Sequence, residues 1–110
     1  MKKILLLAAV LGMATAFSAK AVDAANLWDH HCAMCHGKDG KGDTKIGGKL
    51  GCKDFTDAKV QADIKDDVAF KDIKEGLKSD DGRKLMKPFG ATLSDDEIHA
   101  LVAYVHTLKK

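Results

Sequence analysis

The sequence predicts an all-α domain of three to five short helices, and three observations carry that prediction. Beyond residue 22, apolar side chains recur at helical spacing and no run alternates with the two-residue period of a strand. Six of the ten glycines fall within residues 37–51, a segment read as one irregular loop between helical stretches. Near the C-terminus, Ser94-Asp95-Asp96-Glu97 spells the start of a helix, with a hydroxyl and a carboxylate three positions apart.

The first element is not counted in the fold. Lys2 and Lys3 precede an apolar run from Ile4 to Phe17, and Ala19-Lys20-Ala21 gives a small-x-small exit. This is the layout of a secretory signal peptide, so residues 1–21 are expected to be cleaved and 22–110 to form the mature domain. The apolar run is too short to span a bilayer, and no later stretch approaches the ~20 apolar residues that a membrane helix needs. A soluble, exported protein is expected. Removal of Lys2, Lys3 and Lys20 leaves 89 residues with 15 basic against 16 acidic side chains, a formal charge of −1 in place of +2. A basic, nucleic-acid-binding class is thereby excluded. The 45% hydrophobic content is likewise inflated by the leader. So small a chain needs a disulfide, a metal or a cofactor to help hold it together.

From Asp23 to Cys32 the chain is expected to form a short helix, with Ala24, Leu27, Trp28 and His31 on one face. The glycine-rich loop follows, interleaved with Lys38, Lys41, Lys45 and Lys49, and suits a wrap on a large flat ligand. A phosphate-binding loop is discounted, because no Gly-Lys-Ser/Thr end and no preceding strand accompany the glycines. Residues 56–62 are expected to form a helical turn or two. A clearer helix runs from Asp66 to Glu75, with Val68, Ala69 or Phe70, and Ile73 inward and Gly76 as its stop. Lys78 to Arg83 is polar loop. The last helix starts at the Ser94 box and ends near Leu108, with Ile98, Leu101, Val102, Val105 and Leu108 as its stripe and Tyr104 beside it. No strand is expected.

The chemistry lies in Cys32-Ala33-Met34-Cys35-His36. Two thiols three positions apart can each form a thioether to one vinyl group along a porphyrin edge, and the next residue can offer an imidazole nitrogen to the iron. A thiol–disulfide oxidoreductase also uses Cys-x-x-Cys but expects a βαβ setting, and no strand-period segment precedes Cys32. A zinc site would need a second ligand pair, and Cys52 stands alone. Haem c is therefore the expected cofactor, one group covalently bound through its attachment to Cys32 and Cys35, with His36 as proximal ligand.

The second axial ligand has six candidates, Met34, Met86, His30, His31, His99 and His106. Met34 lies inside the attachment loop on the side of His36, and His30 and His31 are tied near that edge. His99 and His106 suit solvated positions on the last helix. Met86, beside Pro88 and Gly90 and about fifty residues after His36, has chain enough to pass over the ring, and is preferred to its other fate as a core methionine.

These residues resemble the class I monohaem cytochromes c, in their small soluble bacterial and photosynthetic-type branch. The resemblance rests on Cys32 to Gly42, the helix end from Phe70 to Gly76, Met86 to Phe89, and the terminal Leu101 to Val105, in order over nearly all of the mature chain. It implies a class I cytochrome c fold wrapped around one haem. It further implies a crossing of the first and last helices at Ala24, Trp28, Leu101 and Tyr104, and His/Met ligation. Two features depart from the family. The proline that often follows the attachment motif, and whose carbonyl orients the proximal imidazole, is missing, so a carbonyl between Gly42 and Leu50 is expected to accept from the His36 ring. Cys52 has no partner if the other thiols carry haem, and is either a buried apolar thiol or a link between two chains.

An iron with both axial sites filled by protein has no position for substrate, so a soluble periplasmic one-electron carrier between redox complexes is expected rather than an enzyme. The alternative is a haem enzyme or gas sensor with an open sixth position, and a haem-free thiol-redox protein is a further rival. Lys38, Lys41, Lys45, Lys49 and Lys53, with Lys84 and Lys87, could rim the haem edge and steer docking of an acidic redox partner, or form a solvated face among Asp39, Asp43 and Asp54. A monomer is expected unless Cys52 joins two chains.

Overall fold

A computed structural model of the chain describes residues 21–110, so the signal-peptide expectation for residues 1–21 lies almost wholly outside the described residues. The described chain is mostly helical. Helix α1 (Ala24–His31) is started by the Asp23 carboxylate, which accepts from the Asn26 N–H at 3.1 Å, and it buries Trp28. A short helix α2 (Ala33–His36) follows directly, with Cys32 at the junction. Gly37, at φ +82°, then turns the chain where a side chain would be strained.

The expected irregular loop is in part a helix. Residues Lys45–Leu50 form α3, closed at its end by Gly51 in the left-handed region. Its two internal glycines do not prevent helix formation, because Thr44 caps the first turn by accepting from the Gly47 N–H at 2.8 Å. The same hydroxyl donates to the Cys35 carbonyl at 2.7 Å, tying α3 to the attachment segment. Helix α4 (Ala58–Asp63) is capped by Asp57, and α5 (Asp66–Glu75) ends at Gly76, matching the expected boundaries closely.

A second departure is a small antiparallel hairpin, β1 (Leu77–Lys78) with β2 (Lys84–Met86), pairing Leu77 with Met86. Strands of two and three residues are too short to show a two-residue period in sequence. The final helix α6 (Asp95–Thr107) begins with the capping box of Ser94 and Glu97, both bonds being present.

Helix α6 packs against α1 and α5. Trp28, Phe89, Leu93, Ile98 and Leu101 form the buried core, and the rings of Trp28 and Tyr104 meet with centroids 5.5 Å apart. Each fully buried Ile98 or Leu101 side chain contributes about 1.5–3 kcal/mol. This core holds α1 fixed, and with it the cysteines that follow.

Candidate functional site

The core lies beside a cavity of about 750 Å³, within the ~300–1,000 Å³ typical of small-molecule sites. Cys32, Cys35 and His36 line it from the α1–α2 junction, and Met86 lines it from β2. The four residues singled out in the sequence are therefore brought to one cavity. Two close backbone approaches set their places. A Cβ at Gly47 would run into the Cys35 carbonyl, and one at Gly76 would lie 2.9 Å from the Pro88 nitrogen, so both positions require glycine.

His36 is the most distinctive group. Its ring stacks on Phe55 at 5.3 Å and 26°, and tilts against Trp28 at 5.7 Å. Its Nδ1 is buried and has no hydrogen-bond partner among the described residues. The expected carbonyl between Gly42 and Leu50 is not supplied. That segment is largely helical, and two of its carbonyls are engaged elsewhere: Thr44 accepts from Gly48, and Gly47 from Cys52. Burial lowers the His36 pKa, favouring the neutral imidazole, which is the form that ligates a metal. Because Nδ1 is sealed off, Nε2 is the ring nitrogen left to reach a group in the cavity, and Nδ1 lacks the orienting carbonyl expected for it.

All three cysteines carry free thiols. Burial, with Cys35 alongside, pushes the Cys32 thiol up to about 11, so it stays protonated at neutral pH. Two free thiols and a neutral imidazole on one apolar-walled cavity fit a haem c held by Cys32, Cys35 and His36. Met86 is half-buried and packs on the core while facing the same space, so both of its expected roles are compatible with its place.

The other candidate ligands sort differently. Met34 is 75% exposed, although it touches the cavity rim. His31 sets its edge on Phe89, and His30 Nδ1 lies 2.9 Å from the Asn26 carbonyl. His99 stacks on Phe70 at 4.4 Å. His106 is not simply a solvated side chain, since its nitrogens meet Gln61 at 3.0 Å and Asp66 at 2.6 Å. Among the lysines, Lys53, Lys84 and Lys87 line the cavity together with Lys65, which sequence reasoning missed, while Lys38, Lys41, Lys45 and Lys49 do not. Cys52 is half-buried in the cavity wall.

Residues 21–109 match the cytochrome c family model. Among solved structures, the KustC0563 c-type cytochrome is 37% identical, with a TM-score of 0.72, and the match covers 81% of this chain and 100% of that one. A point mutant of that protein matches at 36% identity and a TM-score of 0.69, covering 80% of this chain and 100% of its own. No curated protein matches.

Proposed function

This chain belongs to the cytochrome c family as a class I monohaem c-type cytochrome, a haem-binding electron carrier, and from that premise we propose how its own residues serve the haem and where it works. Cys32 and Cys35 would hold the haem through thioethers, with His36 as the proximal ligand and Met86 as the second protein ligand of its iron. The observation that supports this assignment is the meeting of two thiols, a His36 ring held neutral by burial, and Met86 on one cavity. When bound, the haem iron supplies a one-electron couple.

The chain's residues set the conditions for that couple. Trp28 and Phe55 clamp the His36 ring, so the imidazole does not have to reorganise as the charge changes. A soft thioether from Met86 and the apolar wall of Val68, Ala69, Ile73 and Leu101 both disfavour the extra positive charge of the ferric state, which raises the potential. With two protein ligands no site is left for substrate, so the protein acts as a carrier and not as an enzyme. Lys53, Lys65, Lys84 and Lys87 at the cavity form the basic rim that meets an acidic redox partner. The leader of residues 1–21 directs the chain to the periplasm.

One set of measurements tests this. Holoprotein expressed with its leader should be recovered from the periplasm, start after Ala21, and retain haem after denaturation. Its ferric spectrum should show the weak red charge-transfer band of a thioether–iron bond, absent in Met86→Ala. Rapid CO binding by the native ferrous protein would overturn Met86 ligation and favour a sensor or enzyme. Absence of covalent haem would overturn the site itself.

A further inference from the structure

The inner face of α5 carries a carboxylate that the haem site does not use. Lys65, Val68, Ala69, Asp72 and Ile73 line the cavity at i, i+3, i+4, i+7 and i+8, one stripe of the helix, and Asp72 is the only acid on it. Asp72 is partly buried, and no side-chain hydrogen bond among the described residues holds its ionised form. We propose that Asp72 is the proton partner of the electron: its carboxylate binds a proton when the haem iron gains an electron, and releases it when the electron leaves. This rests on the haem site proposed above.

A carboxylate on the stripe with half-buried Ala69 and Ile73 loses part of its hydration, and a flat macrocycle filling the cavity would remove more of it. Two lysines work against this, Lys71 on its own helix and Lys53 across the cavity. Burial nevertheless outweighs both, and the Asp72 carboxyl is held above its ordinary range. The other charged side chains on the cavity are Lys65 on α5, Asp63 at the end of α4, and Lys84 and Lys87 at the hairpin, and the imidazoles of His30, His31 and His36 line it as well. Of the two acids, Asp63 is exposed at a helix end, whereas Asp72 sits among apolar neighbours.

Its position makes Asp72 sensitive to the iron. Reduction removes one positive charge from the cavity, so an ionised carboxylate on its wall loses part of its stabilisation and its proton affinity rises. One electron enters and up to one proton follows from solvent, so the net charge of the site changes less than it would otherwise. At ~8–15 Å and an effective dielectric of ~20, the affinity difference is about six- to thirtyfold. The midpoint potential should therefore fall as pH rises through a window that starts in the carboxylate range and extends above it.

Spectroelectrochemical titration of the holoprotein between pH 4 and pH 8 tests this. The wild type should show the falling potential. Asp72→Asn should lose that slope and sit at a higher potential above the window, while Asp63→Asn keeps the slope. A slope surviving in Asp72→Asn, or lost in Asp63→Asn, would assign the proton elsewhere and overturn the proposal, as would a flat wild type. Should Asp72→Asn fail to load haem, carboxyl carbon NMR of the wild type decides: Asp72 should titrate higher in the ferrous than in the ferric protein, and identical titrations overturn the proposal. A chain that carries no haem at all fails at the earlier step, which the absorption spectrum shows separately.

Discussion

The indole Nε1 of Trp28 donates to the carbonyl of Gly37 at 2.9 Å, a buried bond between the first helix and the residue that follows His36. It fixes the end of the attachment segment to the helix that begins it. The same indole packs on Tyr104 of α6 and on the His36 ring, so one side chain links the helix crossing to the haem ligand.

Replacement of Trp28 should separate these roles. Trp28→Phe keeps most of the packing and loses the bond, while the Gly37 carbonyl still accepts from the Gly40 N–H at 3.1 Å, so the cost should be about 0.5–1.5 kcal/mol. Trp28→Ala also empties the core and should cost about 3–5 kcal/mol. Guanidinium unfolding of the two holoproteins measures both. Equal losses would mean that the packing of Trp28 contributes little beyond the bond.

Adjacent glycines in α3 should respond oppositely. A Cβ at Gly47 would meet the Cys35 carbonyl and lie 2.6 Å from the Gly42 carbonyl and 2.8 Å from the Thr44 hydroxyl, whereas one at Gly48 meets nothing within 4 Å. Gly48→Ala should stabilise the protein by about 0.5–1 kcal/mol, since alanine loses less backbone entropy in a helix. Gly47→Ala must push α3 away from the attachment segment, and should lower both the unfolding midpoint and the yield of haem-loaded protein.

How legible these elements were depends on the range of the forces that make them. The Ser94–Glu97 box and the Asp66–Gly76 helix were clear because their signals are local, within a turn of the chain. Cys32, Cys35 and His36 were clear because the porphyrin edge dictates their spacing. Helix α3 was hidden, since its glycines disfavour helix locally and what offsets them is Thr44, bonded both to Gly47 and to Cys35 nine residues back. The unpaired His36 nitrogen was equally hidden, because which carbonyls are free depends on that helix. Asp72 was overlooked on the inward stripe of α5 because a carboxylate there looks like part of the solvated face.

Acid should weaken the turn after Cys52 in a defined direction. The Thr56 hydroxyl donates to Asp54 at 2.6 Å and the Thr56 N–H at 2.9 Å, and the two bonds hold the Asp54 carboxyl below its ordinary range. A depressed carboxyl stabilises the fold above its unfolded pKa, and that contribution is lost as pH falls through the folded one. The window therefore lies below about pH 4. Thermal midpoints of Thr56→Ala and wild type should converge as pH falls through this window and stay apart above it. A constant separation would remove Asp54 from the acid response.

Gln61 is a buried amide that joins three elements. Its Nε2 donates to the Phe55 carbonyl at 2.6 Å and the Val105 carbonyl at 2.8 Å, which uses both amide hydrogens and turns Oε1 toward His106 Nδ1 at 3.0 Å. His106 Nε2 in turn meets the Asp66 carboxylate at 2.6 Å, so both ring nitrogens face oxygen atoms. The chain α5–His106–Gln61–Phe55 ends on the ring stacked against His36. Its energy should lie mainly at the buried end. Gln61→Leu leaves the Phe55 carbonyl without its donor, while the Val105 carbonyl keeps the Leu108 N–H at 3.1 Å, and should cost about 1–3 kcal/mol. His106→Ala breaks contacts that water can replace, because the side chain is 38% exposed, and should cost about 1 kcal/mol or less. Denaturant unfolding ranks the two. If His106→Ala were the costlier change, the His106–Asp66 pair, not the buried amide, would hold α4, α5 and α6 together.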